Sequence, residues 1–166
     1  MIKYYNKKII YYFLITLVIF TLDRISKIYV INVAENYGQV NIYVNDFIDI
    51  ILIWNSGIGF GLFSSGKQFT YNLITSMIVI INFVILYLGI KSNNFKGYLF
   101  FIILGGSLGN LFDRFYYSAV PDFIDLNYND FHWFIFNVAD IFISLGIICL
   151  IFVELFYNNK EKINEK

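Results

Sequence analysis

Four apolar stretches, each near the length a helix needs to cross a bilayer, constrain this chain more than any other feature. At 1.5 Å of rise per residue, a hydrocarbon core of about 30 Å takes about 20 helical residues. Ile9 to about Ile28, Phe69 to Ile90, Tyr98 to Phe112 with its flanks, and Asn137 to Tyr157 answer to that description, the third depending on its flanking residues. Composition agrees: 58% of the 166 residues are hydrophobic and 14% charged, against about a quarter charged in soluble domains. The expected class is therefore an integral, multi-pass, all-α membrane protein, a four-transmembrane-helix bundle. The start "MIKYYNKKII" looks like the basic front of a signal peptide, but the apolar run is too long and no small-residue cleavage site follows, so an uncleaved first helix is expected. With no internal repeat or low-complexity linker, residues 1–166 are expected to form a single membrane domain.

Twelve basic and twelve acidic residues cancel, and no sustained basic run is interleaved with aromatics, so no nucleic-acid partner is expected. The single cysteine, Cys149, lies within the last apolar run and reads as a small hydrophobe. The basic residues carry orientation. With the N-terminus in the cytoplasm, Lys3, Lys7, Lys8, Lys91, Lys96, Lys160, Lys162 and Lys166 fall inside, eight in all, while four, Arg24, Lys27, Lys67 and Arg114, fall outside. That bias predicts both termini inside and two large segments, about 32–68 and 113–136, outside.

In the first outer segment Val40, Ile42 and Val44 alternate with Asn41, Tyr43 and Asn45, and a turn-prone Asn45-Asp46 pair precedes Ile48, Asp49 and Ile50, which predicts a small extracytoplasmic β-platform. Trp54 suits the membrane–water boundary. "GIGFGLFSSG" beside it reads equally as a short amphipathic helix or a glycine-rich loop.

The polar residues with chemical potential gather on the same side. Asp23 and Lys27, one helical turn apart, read first as a helix-end ion pair. Asn55 and Gly57 fit either a loop with special dihedrals or a close backbone approach to a ligand. In "GGSLGNLFDR", Gly105 and Gly109 have the spacing of close helix packing. Asn110 and Arg114, four apart, share a helix face, and the arginine reads evenly as a snorkelling anchor or as a site residue. Asn137 and Asp140, three apart, share a face at the start of the last helix. A carboxylate in the middle of a membrane helix costs about 2.5 to 3.5 kcal/mol, less near an end, so Asp140 needs a partner, and Asp122 in "VPDFID" is the available one. The residues between them, through "LNYNDFHWF", can make an extended excursion and return.

Two facing carboxylates tend to hold one proton between them, which supplies an acid and a base for attack of water on a peptide carbonyl. The one histidine, His132, sits in an aromatic outer segment and reads as interfacial. Composition excludes a histidine-rich or thiolate metal site and leaves a carboxylate-only one open; no metal and no ATP, nucleotide or redox cofactor is expected. Two rival classes remain: a small proton- or cation-coupled transporter subunit, and a scaffold whose polar groups tie helices together. Against transport, Asp23, Asp113, Asp122 and Asp140 group toward one side instead of spreading across the bilayer.

Taken in order, "DRISK" at 23–27, "NSGIGFG" at 55–61, "GGSLGNLFDR" at 105–114, "VPDFID" at 120–125 and "FNVAD" at 136–140 resemble the motifs of the bacterial lipoprotein signal peptidases, the signal peptidase II family, across nearly the whole chain. The resemblance implies an aspartyl membrane endopeptidase that removes signal peptides from prolipoproteins before a diacylglyceryl-modified cysteine. It further implies that Asp122 and Asp140 are the catalytic pair, that Asn110, Arg114 and Asn137 support them, and that Asn55 and Asp23 lie near the site. A monomer in the bacterial cytoplasmic (inner) membrane is expected, in contact with membrane lipid, with its site near the outer leaflet. Pro121, Gly59 and Arg24 depart from the residues usual at those positions, and none removes a group the chemistry needs.

Overall fold

The computed structural model describes residues 2–57, 68–92, 95–129 and 131–164. Its helices are α1 (Ile2–Tyr37), α2 (Gln68–Lys91), α3 (Phe95–Tyr117) and α4 (Val138–Asn164), and its strands are β1 (Asn41–Asn45), β2 (Ile48–Asn55), β3 (Val120–Tyr128) and β4 (Phe131–Phe136). All four helices contain a segment long and apolar enough to cross a membrane. The glycine-rich stretch after Gly57, with Gly59 and Lys67, lies outside the described residues, so its two readings stay as the sequence left them.

The helices outrun the apolar segments that announce them. Helix α1 continues past Ile28 to Tyr37: Asp23, Arg24 and Lys27 near its expected end are buried, and beyond them Val30, Val33 and Ala34 pack against the sheet. It stops at Gly38, whose φ of 79° is the left-handed conformation that only glycine takes cheaply, and whose N–H bonds the Ala34 carbonyl at 2.8 Å.

Helix α3 is the structural centre. Half of its most apolar window is buried, against 11% to 22% for the other three helices, which leave residues such as Leu17, Ile80, Phe83 and Ile151 exposed on their outer faces. Apolar surface on that scale has no place on a soluble monomer and suits lipid. The glycines of α3 let its neighbours come close: Gly105 faces Ile19 of α1, and a methyl group on Gly106 would stand 2.6 Å from the Ala139 carbonyl of α4. Packing is thus the reason for the small residues, and it acts on two sides of the helix at once.

The strands form one antiparallel sheet in the order β1-β2-β3-β4, larger than the platform read from the first outer segment alone. The β1–β2 turn is held by the Phe47 N–H, which bonds Asn45 Oδ1 at 2.9 Å. Strands β3 and β4 are the excursion expected between Asp122 and Asp140, and β3 pairs with β2 across the 64 residues of chain that include α2 and α3. Between the pairs Ile50↔Ile124 and Ile53↔Asp122, β2 carries an extra residue. Such a bulge bends the strand and re-aims its side chains, here at the level of Asp122. Pro121 is tolerated because β4 joins β3 only from Ile124 onward, so at Pro121 the strand has a neighbour on one side only. Buried Val30, Val40 and Phe123, with Leu52 and Val138 against them, seat the sheet on α1 and on the start of α4.

Candidate active site

Helix α4 opens with a reciprocal cap. The Asn137 Oδ1 accepts the Asp140 N–H at 3.2 Å, and Asp140 Oδ2 accepts the Asn137 N–H at 3.1 Å. This is the geometry of a capping box, with an aspartate in the third position. The cap explains how a carboxylate is accommodated in the first turn of an otherwise apolar helix: it satisfies a backbone donor that would be orphaned, near the positive end of the helix dipole.

The cap leaves the amide of Asn137 free to reach outward. Its Nδ2 donates to Asp122 Oδ1 at 2.6 Å, so one fully buried asparagine joins the strand carboxylate to the helix carboxylate. Two further amides complete the set: Asn55 Nδ2 donates to Asp122 Oδ2 at 2.9 Å from the end of β2, and Asn110 Nδ2 donates to Asp140 Oδ1 at 2.8 Å from α3. Every oxygen of the two carboxylates thus accepts one hydrogen from a neutral amide, and both line a cavity of about 150 Å³ with Asn55, Asn110, Arg114 and Asn137. Burial first, and then the nearby Asp140 charge, push the Asp122 carboxyl up to about 6, while the bonds from Asn55 and Asn137 favour its ionised form and pull the other way.

Arg114 is buried, not stretched toward headgroups. Its Nη2 donates to the Gly57 carbonyl, its guanidinium lies 5.6 Å from the ring centre of Tyr71, and the Tyr71 hydroxyl donates to the Arg114 carbonyl at 2.6 Å. Its Nε and Nη1 are buried without a hydrogen-bond partner among the described residues. Of the two readings the sequence left even, the geometry favours the one that puts the arginine in the cavity wall.

Asp23 does not line the cavity, and the ion pair read at the end of α1 proves to be part of a larger assembly. Lys27 Nζ meets Asp23 Oδ2 at 2.9 Å and Asp113 Oδ2 at 2.7 Å, and Arg24 meets Asp113 Oδ1 at 2.5 Å and Asp23 Oδ2 at 3.2 Å. Asp23, Lys27 and Asp113 are completely buried, and Arg24 is nearly so, packed over the Phe112 ring. Asp23 also accepts the Ala139 N–H at 3.0 Å, which ties α1 to the first turn of α4. Sequence reasoning saw the Asp23–Lys27 spacing but missed Asp113 and Arg24 as its partners, since nothing local says which faces of α1 and α3 meet. It also missed Tyr71, a single polar residue on α2 whose surroundings carry no signal of a site, and Ser107, which lines the cavity from within the "GGSLGNLFDR" motif but was not singled out there. His132 lies at the sheet, with Nδ1 2.5 Å from Asp125, away from the cavity. Among the described residues no three His, Cys, Asp or Glu side chains come together as a group able to hold a metal ion.

Residues 15–156 match the model of the family described as signal peptidase (SPase) II. A lipoprotein signal peptidase of Pelagibacter ubique (strain HTCC1062) is 52% identical over 152 residues, covering 92% of this chain and 91% of that protein. One from Anaplasma marginale (strain Florida) is 38% identical, covering 86% of this chain and 82% of its own length. Among solved structures, a bacterial membrane enzyme determined by the in meso method at 2.3 Å resolution superposes with a TM-score of 0.74 at 28% identity, over 91% of this chain and 90% of that one. A second, at 1.9 Å resolution, gives 0.67 at 29% identity over 87% and 92% of the two chains.

Four membrane helices, a sheet seated at one end of them and an aspartate pair between the two define the class, a multi-pass bacterial membrane peptidase of the aspartic type. The chain belongs to the signal peptidase II family. The transporter and scaffold alternatives fall away with that membership.

Proposed function

We propose that Asp122 and Asp140 are the catalytic pair of this peptidase and that its substrates are prolipoproteins, cut before a cysteine carrying a diacylglyceryl group. The observation that carries the reading is the pair of carboxylates in one small cavity, each oxygen bonded only by neutral amides. Asp122, pushed up to about 6, is largely ionised at neutral pH and takes a proton from the attacking water, and Asp140 gives one to the carbonyl oxygen. Water oxygen bonds to the carbonyl carbon, the C–N bond then breaks, and the proton held by Asp122 goes to the leaving amine. The oxygen's proton returns to Asp140, so the pair ends as it began. Asn55, Asn110 and Asn137 fix the carboxyl orientations, and the spare N–H groups of Arg114 hold a carbonyl or lipid oxygen of the substrate.

In this reading both termini lie in the cytoplasm and the sheet lies outside the cytoplasmic (inner) membrane, which places the site at the depth of a lipid-modified cysteine in the outer leaflet. The whole chain acts as one domain and as a monomer. The test is incubation of the purified protein in detergent with a lipid-modified precursor and with the same precursor unmodified, followed on a gel. Cleavage of the modified form alone supports the reading, and equal cleavage of both removes the lipid from recognition. Reporter fusions near Gln39 and at the C-terminus test the orientation; an inverted pattern overturns it.

A further inference from the structure

The buried charges beside the cavity touch it at one point. Lys27 Nζ donates to Asn110 Oδ1 at 2.8 Å, and Asn110 passes its other end, Nδ2, to Asp140 Oδ1 at 2.8 Å. An ammonium has donors only, so it can be satisfied by the carbonyl end of an amide and never by the amino end. The Asp140 oxygen takes the opposite end, the amino group. Turning the Asn110 amide over would set N–H against ammonium and take the donor away from Asp140 Oδ1, two losses in a largely enclosed place. Lys27 cannot easily move to relieve them, because Asp23 and Asp113 hold it from α1 and α3 and no part of its side chain is exposed. Nor is there slack in α3 at this level, since a Cβ on Gly109 would overlap the Asp23 carboxylate.

We infer that Lys27 is a positioning residue of the acid pair: it sets the direction of the Asn110 amide and thereby keeps a hydrogen-bond donor on Asp140. The role rests on the assignment of Asp122 and Asp140 proposed above. It is distinct from that of Arg24, which binds the same two carboxylates of the cluster but makes no bond to Asn110. The cluster is therefore divided: Arg24 neutralises charge and joins helices, and Lys27 does this while also acting on the site through one amide.

A double-mutant cycle on kcat separates positioning from mere support of the fold. In detergent, with a lipid-modified precursor, Lys27→Met lowers kcat about tenfold or more in the folded protein, with little change in KM, because the loss falls on the acid pair and not on substrate contacts. Asn110→Ala lowers kcat likewise, and adding Lys27→Met to it costs less than about twofold further, since the amide through which Lys27 acts is gone. Arg24→Met weakens the fold but leaves the kcat of folded molecules near wild type. If Lys27→Met does not fold, the comparison is made between Lys27→Met/Asp113→Asn, which removes one charge of each sign, and Asp113→Asn alone. Unchanged kcat in the lysine variant, full additivity with Asn110→Ala, or an equal kcat loss in Arg24→Met overturns the inference. Asp140→Asn run alongside distinguishes the levels: activity there overturns the acid pair itself, while loss there with unchanged kcat at Lys27 overturns only the role of the lysine.

Discussion

Two pairs of aspartates lie side by side in this protein, and their surroundings differ in kind. Asp23 and Asp113 are bound by Lys27 and Arg24, two cations for two carboxylates, completely buried between α1 and α3. Asp122 and Asp140 are bound by Asn55, Asn110, Asn137 and a backbone N–H, all neutral, beside a cavity. A carboxylate locked to a cation would have to break an ion pair in low dielectric to take up a proton. A carboxylate held only by amides keeps its orientation while its proton can still come and go. In the proposed reading the same side chain braces the fold in one pair and works as an acid or base in the other, and the difference lies in the charge of its donors.

The sharpest way to test that contrast is to make the same change in each pair. Asp122→Asn and Asp140→Asn are expected to cut cleavage by about 10³-fold or more while thermal unfolding in detergent stays near wild type, since an amide fills the space but cannot carry the proton. Wild-type turnover by either variant breaks the comparison at its functional end. Asp113→Ala is expected to do the reverse, losing about 3 to 5 kcal/mol of stability because Lys27 and Arg24 are left buried with one carboxylate between them. A melt indistinguishable from wild type would mean the ionic cluster does not hold the helices.

Arg114 stands between the two regions: a buried cation that pairs with no carboxylate at close range and keeps two N–H groups unbonded among the described residues. Arg114→Lys keeps the charge but loses the planar fork, and is expected to lower cleavage about tenfold with normal insertion, as is Arg114→Gln. A silent lysine variant would return Arg114 to the role of an anchor. The smallest effect is in pH. Because the Asp122 carboxyl is pushed up to about 6 and is the proposed base, activity should rise as pH rises through about 6 and be lost below it, where the group is neutral. Asn55 favours the ionised form, so Asn55→Leu should move that limb to higher pH; a shift to lower pH would assign Asp122 the opposite proton role.

Much of this was legible before any coordinates. The four helices follow from apolar length, since a segment in hydrocarbon must bond its own backbone, and that requirement is local. The β1–β2 hairpin was visible in alternation around Asn45 and Asp46, while the three-residue spacing of Asn137 and Asp140 put them on one helix face without showing that they cap α4. The ends of the helices were less legible: α1 was read to about Ile28, near the charged Asp23, Arg24 and Lys27, whereas these are buried against α3 and the helix runs on to Tyr37 with Val30, Val33 and Ala34 packed on the sheet.

By itself, then, the sequence determined how many times the chain can cross a membrane, which polar residues sit near the ends of those crossings, and, through its motifs, the family. Only the tertiary structure decided what each of those residues meets. Asp23 and Asp122 are the same residue type near the same end of the bundle, and nothing in their local spacing distinguishes a carboxylate that will face Lys27 and Arg24 from one that will face Asn55 and Asn137. That choice depends on which face of α3 turns to α1 and which to α4, set by the close approach at Gly105, Gly106 and Gly109, and on the pairing of β2 with β3 from opposite ends of a 64-residue excursion. Helix formation is decided within a turn or two of chain, but the dielectric and the donors around a carboxylate are decided by side chains distant in sequence, and these set whether it binds, braces or reacts.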